Sequence, residues 1–145
     1  VKIVADGEVI KVGDLAITAH LTPGHTPGGT TWSWRSCEGQ RCVNFVYADS
    51  LTPVSAPDFR YTGSANPGLV DTFRRTIAKV AALPCDIVVS AHPGFMNMDG
   101  KLKERATKPA KDPFVDPDGC RTYAAEATKR LDARVAEEKK ASAGR

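Results

Sequence analysis

The sequence predicts an α/β fold built on an α+β-like mixed sheet, mostly antiparallel, with helices on one face. Three observations carry that prediction. Alternating apolar and polar residues fill the first third, helical spacing appears only after residue 68, and one short apolar run lies between two helical stretches. The chain has 145 residues, 41% of them hydrophobic and 26% charged, which is the composition of one globular domain spanning 1–145 and not of a disordered chain.

The elements follow in order. Lys2–Ala5 and Glu8–Val12 flank Asp6-Gly7, a pair that accepts the positive φ of a two-residue turn and so predicts a hairpin. Leu15, Ile17, Ala19 and Leu21 alternate with Ala16, Thr18 and His20, a strand with one apolar face that leaves His20 on the polar side. Thr31–Arg35 puts Trp32 and Trp34 on one side, and Val43–Ala48 is apolar on nearly both faces, as an interior strand is. Thr52–Gly68 holds three prolines and two glycines and reads as a long connection of the kind that lines sites. Leu69, Phe73, Ile77, Val80 and Ala81 repeat at helical spacing and stop at Leu83-Pro84. Ile87-Val88-Val89 make Asp86–Ala91 a short buried strand ending at His92-Pro93-Gly94. Gly100–Gly119 is polar and Pro-rich, and its Lys101, Lys103, Arg105, Lys108 and Lys111 read as a solvated loop. Tyr123, Ala127, Leu131 and Val135 recur every four residues in a last helix, with Lys139 and Lys140 suiting its dipole near the end. Two helices cover only one face of such a sheet, yet two strands read as buried on both faces. Something else is expected on the other side.

Composition excludes several roles. A formal net charge of +3 without a basic, aromatic-interleaved stripe gives no reason to expect nucleic acid. No apolar run approaches the ~20 residues of a membrane helix, and no charged-then-apolar segment marks a signal peptide in this chain. Four cysteines are compatible with two disulfides, a zinc site or buried thiols. The lack of Cys-x-x-Cys weakens zinc and thioredoxin-like chemistry. A Cys37–Cys42 bridge would staple a hairpin, and a Cys85–Cys120 bridge would close a loop worth roughly 3–4 kcal/mol. Three pairings remain open on spacing alone. An even count without metal spacing favours an oxidising compartment.

Chemistry has few candidates. His25 lies in Thr22-Pro23-Gly24-His25-Thr26-Pro27-Gly28, between two strands, and His92 stands at the end of the buried strand. Both occupy points where the chain leaves a sheet, and the surrounding Gly and Pro give a fixed backbone with little bulk. Ser50 and Thr52, two apart on an extended segment, point the same way.

Gly24-His25-Thr26-Pro27-Gly28, then Tyr47-Ala48-Asp49-Ser50-Leu51-Thr52, then Leu83-Pro84-Cys85-Asp86 leading to Ala91-His92-Pro93-Gly94, and the late Cys120, stand in an order and spacing that resembles the carboxy-terminal half of the subclass B3 metallo-β-lactamases. The resemblance implies an αβ/βα sandwich of which this chain is one half, so that the other half covers the second face of the sheet. It implies two zinc ions, with His25 a ligand of the first and His92 a ligand of the second. The other four ligands belong to a His-x-His-x-Asp-His motif in the amino-terminal half, and the three histidines here cannot supply it. The activity implied is hydrolysis of the β-lactam amide of penicillins, cephalosporins and carbapenems by a metal-bound hydroxide, with no side-chain nucleophile. Ser50 and Thr52 would hold the substrate carboxylate directly or through water, and Asp49 would stand behind the ligands. Cys85–Cys120 matches a bridge common in the subclass and Cys37–Cys42 an extra bridge of some members. The location implied is periplasmic. The 145-residue chain alone is expected to be inactive and to need the amino-terminal half of the same domain. The alternatives are a related two-metal thioesterase or lactonase, and an inactive fragment or binding module.

Overall fold

The computed structural model describes residues 2–108, 110 and 112–144; Lys111 of the basic cluster lies outside them. Five strands, β1 (Val9–Val12), β2 (Leu15–Leu21), β3 (Thr30–Glu38), β4 (Arg41–Ala48) and β5 (Ile87–Ser90), form one sheet in the order of the sequence. The first three pairings are antiparallel hairpins and β4 pairs with β5 in parallel. A parallel pair needs a crossover, and the chain makes it through residues 49–68 and α1 (Leu69–Ala81). A short 3₁₀ helix (Pro93–Met96), α2 (Met98–Thr107) and α3 (Gly119–Ala143) follow β5. The mixed sheet with packed helices is the predicted fold class.

One face of the sheet is closed. Val46, Ala48 and Val88 are at most 3% exposed and join Phe73, Ile77 and Val80 of α1 and Tyr123, Ala127 and Leu131 of α3 in one apolar cluster. The Leu69–Ala81 and Tyr123–Val135 periodicities are the stripes of α1 and α3 that enter it. The other face is open. Ile10, Ile17, Trp34, Phe45 and Ile87 stand in register across all five strands, one apolar side chain from each. Trp34 stacks on Phe45 at 4.8 Å, and Ile10, Ile17, Trp32, Trp34 and Tyr47 line a groove with no polar wall. Tyr47 is 40% exposed, so the strands read as doubly buried are covered once in this chain.

Three expectations change. Lys2–Ala5 is not a strand, and the first hairpin instead turns at Gly13-Asp14, where Gly13 takes φ 60°. The Asp6-Gly7 turn exists, but its groups bond elsewhere: Gly7 N–H donates to Ala19 O, Leu21 N–H donates to the Asp6 carboxylate, and Ala5 N–H donates to the Glu8 carboxylate. The stretch Gly100–Gly119, read as a loop, is helical up to Thr107 as part of α2, which buries no side chain and so has no apolar period to reveal it. His20 is half-buried with Nε2 2.8 Å from Ser33 Oγ, not a free surface residue, and burial lowers its pKa.

The cysteines pair as Cys37–Cys42 across the β3–β4 hairpin and Cys85–Cys120 between the segment before β5 and the first turn of α3. Their Cα separations are 4.0 and 6.1 Å. No helix among the described residues is long and apolar enough to cross a membrane.

Candidate metal centre

The sheet itself brings the chemistry together. β2 is antiparallel to β3 and β3 to β4, so β2 runs in the same direction as β4 and as its parallel neighbour β5. The carboxyl ends of these three strands therefore lie on one edge, where open α/β sheets hold their ligands. His25 follows β2, Asp49, Ser50 and Thr52 follow β4, and His92 follows β5. The two imidazole rings, 67 positions apart in sequence, stand edge to face with centroids 5.8 Å apart.

The loop that carries His25 is fixed at its base. Thr22 N–H donates to Gly29 O at 2.7 Å, Thr76 Oγ1 of α1 donates to Pro23 O at 2.6 Å, and the Thr22 and Thr31 hydroxyls pair at 3.1 Å. Space there is exhausted. A Cβ on Gly29 would stand 2.5 Å from Thr22 O and 2.6 Å from Asp49 Oδ2, and one on Gly24 would enter the ring of buried Phe73. Gly29→Ala should therefore open the neck of the loop. The expected cost is about 1–3 kcal/mol, the usual scale of overpacking, read as a lower midpoint in thermal denaturation.

His25 is oriented as well as placed. Its Nδ1 lies 2.8 Å from the carbonyl oxygen of Thr52. A carbonyl only accepts, so Nδ1 carries the hydrogen and the Nε2 lone pair is left for a cation. His92 is exposed and lies edge to face with Phe95 at 6.0 Å. The Arg130 guanidinium lies over the Phe95 ring, 4.5 Å from its centroid. Imidazole nitrogens are donors of the kind that zinc accepts. They are only part of a site: no group of three His, Cys, Asp or Glu able to hold a metal occurs among the described residues.

Ser50 and Thr52 do point the same way, but toward each other. Their hydroxyls are 3.0 Å apart, Thr52 N–H also donates to Ser50 Oγ at 3.3 Å, and the residues are 2% and 1% exposed. One hydroxyl hydrogen is used within the pair and one remains for an outside acceptor. Asp49 is half-buried, with its N–H donating to Thr31 Oγ1 and its carboxylate against Gly29. Two residues escape sequence reasoning. Ser90 and Tyr123, 6% and 3% exposed, bring their hydroxyls within 2.8 Å of each other directly behind the site. The available signal was the tyrosine in the α3 stripe, since a buried phenol needs a polar partner.

No protein-family model matches the chain. Among solved structures it is similar to the Rm3 metallo-β-lactamase, with 44% identity and a TM-score of 0.90 over 95% of this chain and 51% of that one. MEM-A1, a subclass B3 metallo-β-lactamase isolated from a soil metagenome library, matches at 45% identity and TM-score 0.86 over 94% of this chain and 52% of its own. BJP-1, a subclass B3 enzyme of Bradyrhizobium japonicum, matches at 32% identity and TM-score 0.82 over 95% and 51%. The chain spans about half the length of these relatives.

Proposed function

We propose that this chain, which corresponds to about half of a subclass B3 metallo-β-lactamase, supplies one side of a zinc-dependent site for β-lactam hydrolysis. The observation that carries the reading is the convergence of His25 and His92 at one sheet edge, with His25 already turned to offer Nε2.

His25 would serve one zinc ion and His92 a second, each completed by ligands from the half of the domain outside these 145 residues. When bound, zinc supplies Lewis acidity toward the lactam carbonyl and acidifies a water near neutral pH. The chain's own residues do the rest. The Thr52 carbonyl holds the His25 ring against rotation and keeps Nε2 turned toward a cation. The spare hydroxyl hydrogen of the Ser50–Thr52 pair is available to the substrate carboxylate, and the near-complete burial of both residues favours a bridging water as the intermediary. Phe95, 41% exposed beside His92, forms an apolar wall at the mouth.

The open face belongs to the same reading. A row of one apolar residue per strand is a ready inner face for a sandwich, and the other half of the domain is what would cover it. The two disulfides suit an oxidising compartment, for which the periplasm is our reading.

Zinc stoichiometry in the full-length protein tests this. Two ions per chain are expected, and His25→Ala or His92→Ala should each remove one and cut cephalosporin hydrolysis by more than about 100-fold, beyond the 10- to 100-fold typical of residues behind the ligands. Retention of both ions and of activity in either variant would contradict the assignment.

A further inference from the structure

We infer that Tyr123 is a positioning residue for the candidate ligands, its one phenol tying together the strand ends from which His25 and His92 take their places. The inference rests on the metal-site reading above and adds a residue to it. Tyr123 lies on α3, behind the sheet, and touches neither imidazole through any hydrogen bond in the structure.

Tyr123 Oη lies 2.8 Å from Ser90 Oγ at the last residue of β5, and His92 N–H points at the same Ser90 oxygen at 3.5 Å. On the other side, Leu51 N–H donates to Tyr123 Oη at 3.2 Å, and the phenol reaches Asp49 O at 3.5 Å. Leu51 is fully buried and immediately precedes Thr52, whose carbonyl accepts from His25 Nδ1. One donor order satisfies the whole chain: His92 N–H to Ser90 Oγ, Ser90 O–H to Tyr123 Oη, and Tyr123 O–H to Asp49 O, with Leu51 N–H filling the second acceptor site of the phenol. Run in one direction, such a chain strengthens cooperatively in a dry interior. The Cys85–Cys120 bridge fixes α3 one turn earlier, three residues before Tyr123, and so holds the phenol at this height on the sheet.

Tyr123→Phe keeps the ring and removes only the hydroxyl. It leaves Leu51 N–H buried without an acceptor and frees both strand ends. A purely structural tyrosine would lower stability and nothing more, so the matched control is Tyr61→Phe. Tyr61 is a second buried phenol, 2% exposed, whose hydroxyl donates to Val54 O at 3.5 Å.

The experiment uses the full-length protein and two readouts: ring-nitrogen NMR of the histidines without metal, and zinc affinity by competition with a chromogenic chelator. Tyr123→Phe should move the ring resonances of both His25 and His92 and weaken zinc binding about tenfold, the lower end of the effect of losing a group behind the ligands. Tyr61→Phe should leave both readouts within twofold or unshifted. Ser90→Ala, the milder cut, should move His92 and spare His25. Unmoved His25 and His92 resonances in Tyr123→Phe, or an unmoved His92 in Ser90→Ala should the phenylalanine variant not fold, overturns the inference. If His25→Ala and His92→Ala leave zinc affinity unchanged, the zinc reading fails, while the resonances still decide the role of Tyr123.

Discussion

Glu138→Gln should destabilise the chain by about 3 kcal/mol, the low end of the cost of breaking a buried charge pair from one side. Glu138 is 2% exposed on α3 and gathers four donors. Its Oε1 accepts from Arg134 Nε at 2.7 Å and Tyr61 N–H at 3.1 Å, and its Oε2 from Thr62 N–H at 2.8 Å and Thr62 Oγ1 at 2.9 Å. Arg134 in turn donates to Phe59 O and Ser55 Oγ. One carboxylate therefore holds the long connection between β4 and α1 against the last helix. The amide keeps one acceptor atom but turns a donor toward Thr62 N–H, and it leaves the half-buried Arg134 guanidinium without its counter-charge.

The same carboxylate gives a pH dependence with a definite sign. Burial pushes its pKa up, but the hydrogen bonds from Arg134, Thr62 and Tyr61 outweigh burial and hold it at about 2, against the usual 4.5. A depressed carboxylate stabilises the fold at pH values above its unfolded pKa. That contribution is lost as pH falls from about 4.5 through about 2, and each pH step of one inside that window removes up to about 1.4 kcal/mol. Urea denaturation across this window should show a steeper loss for the native chain than for Glu138→Gln. Parallel curves would mean that Glu138 ionises much as it does in the unfolded chain.

Much of the fold was legible because its elements bury one side. The apolar runs at 43–48 and 87–89 and the four-residue stripes of α1 and α3 report a face turned to the core, and the alternation at 15–21 reports the strand whose apolar side carries Ile17 on the open face. The candidate site was legible for a related reason: strand ends with Gly and Pro around a histidine are where side chains converge. What was hidden lacks such a signature. α2 buries nothing, so its pattern is that of a loop. The Lys2–Ala5 segment has strand composition, but the Asp6 and Glu8 side chains take the place of ladder partners. Glu138 sits in Glu137-Glu138-Lys139-Lys140, a run that reads as solvent-facing charge, and nothing local shows that the loop at 55–62 folds over it. Tyr123 announces a core position through its spacing but not what its hydroxyl would meet.

On the reading proposed above, these residues supply two of the six ligands of a two-zinc site and half of a sandwich, so neither part works alone. Two imidazoles cannot close a four-coordinate zinc site, and zinc held by fewer protein ligands keeps more water and binds weakly. The uncovered row from Ile10 to Ile87 adds a second demand, because an apolar face of this extent favours association in water. Residues 1–145 on their own should therefore self-associate or take up a covering segment, and should hydrolyse no β-lactam. Activity should appear only when a segment carrying His-x-His-x-Asp-His is supplied, in the same chain or in trans.

The direct measurement is hydrolysis of a chromogenic cephalosporin by purified residues 1–145 with added zinc, before and after addition of that segment. No chelator-sensitive turnover is expected before addition, and zinc-dependent turnover is expected after it. A monomer of residues 1–145 that turns over the substrate with zinc alone, and stops when a chelator is added, would contradict the reading.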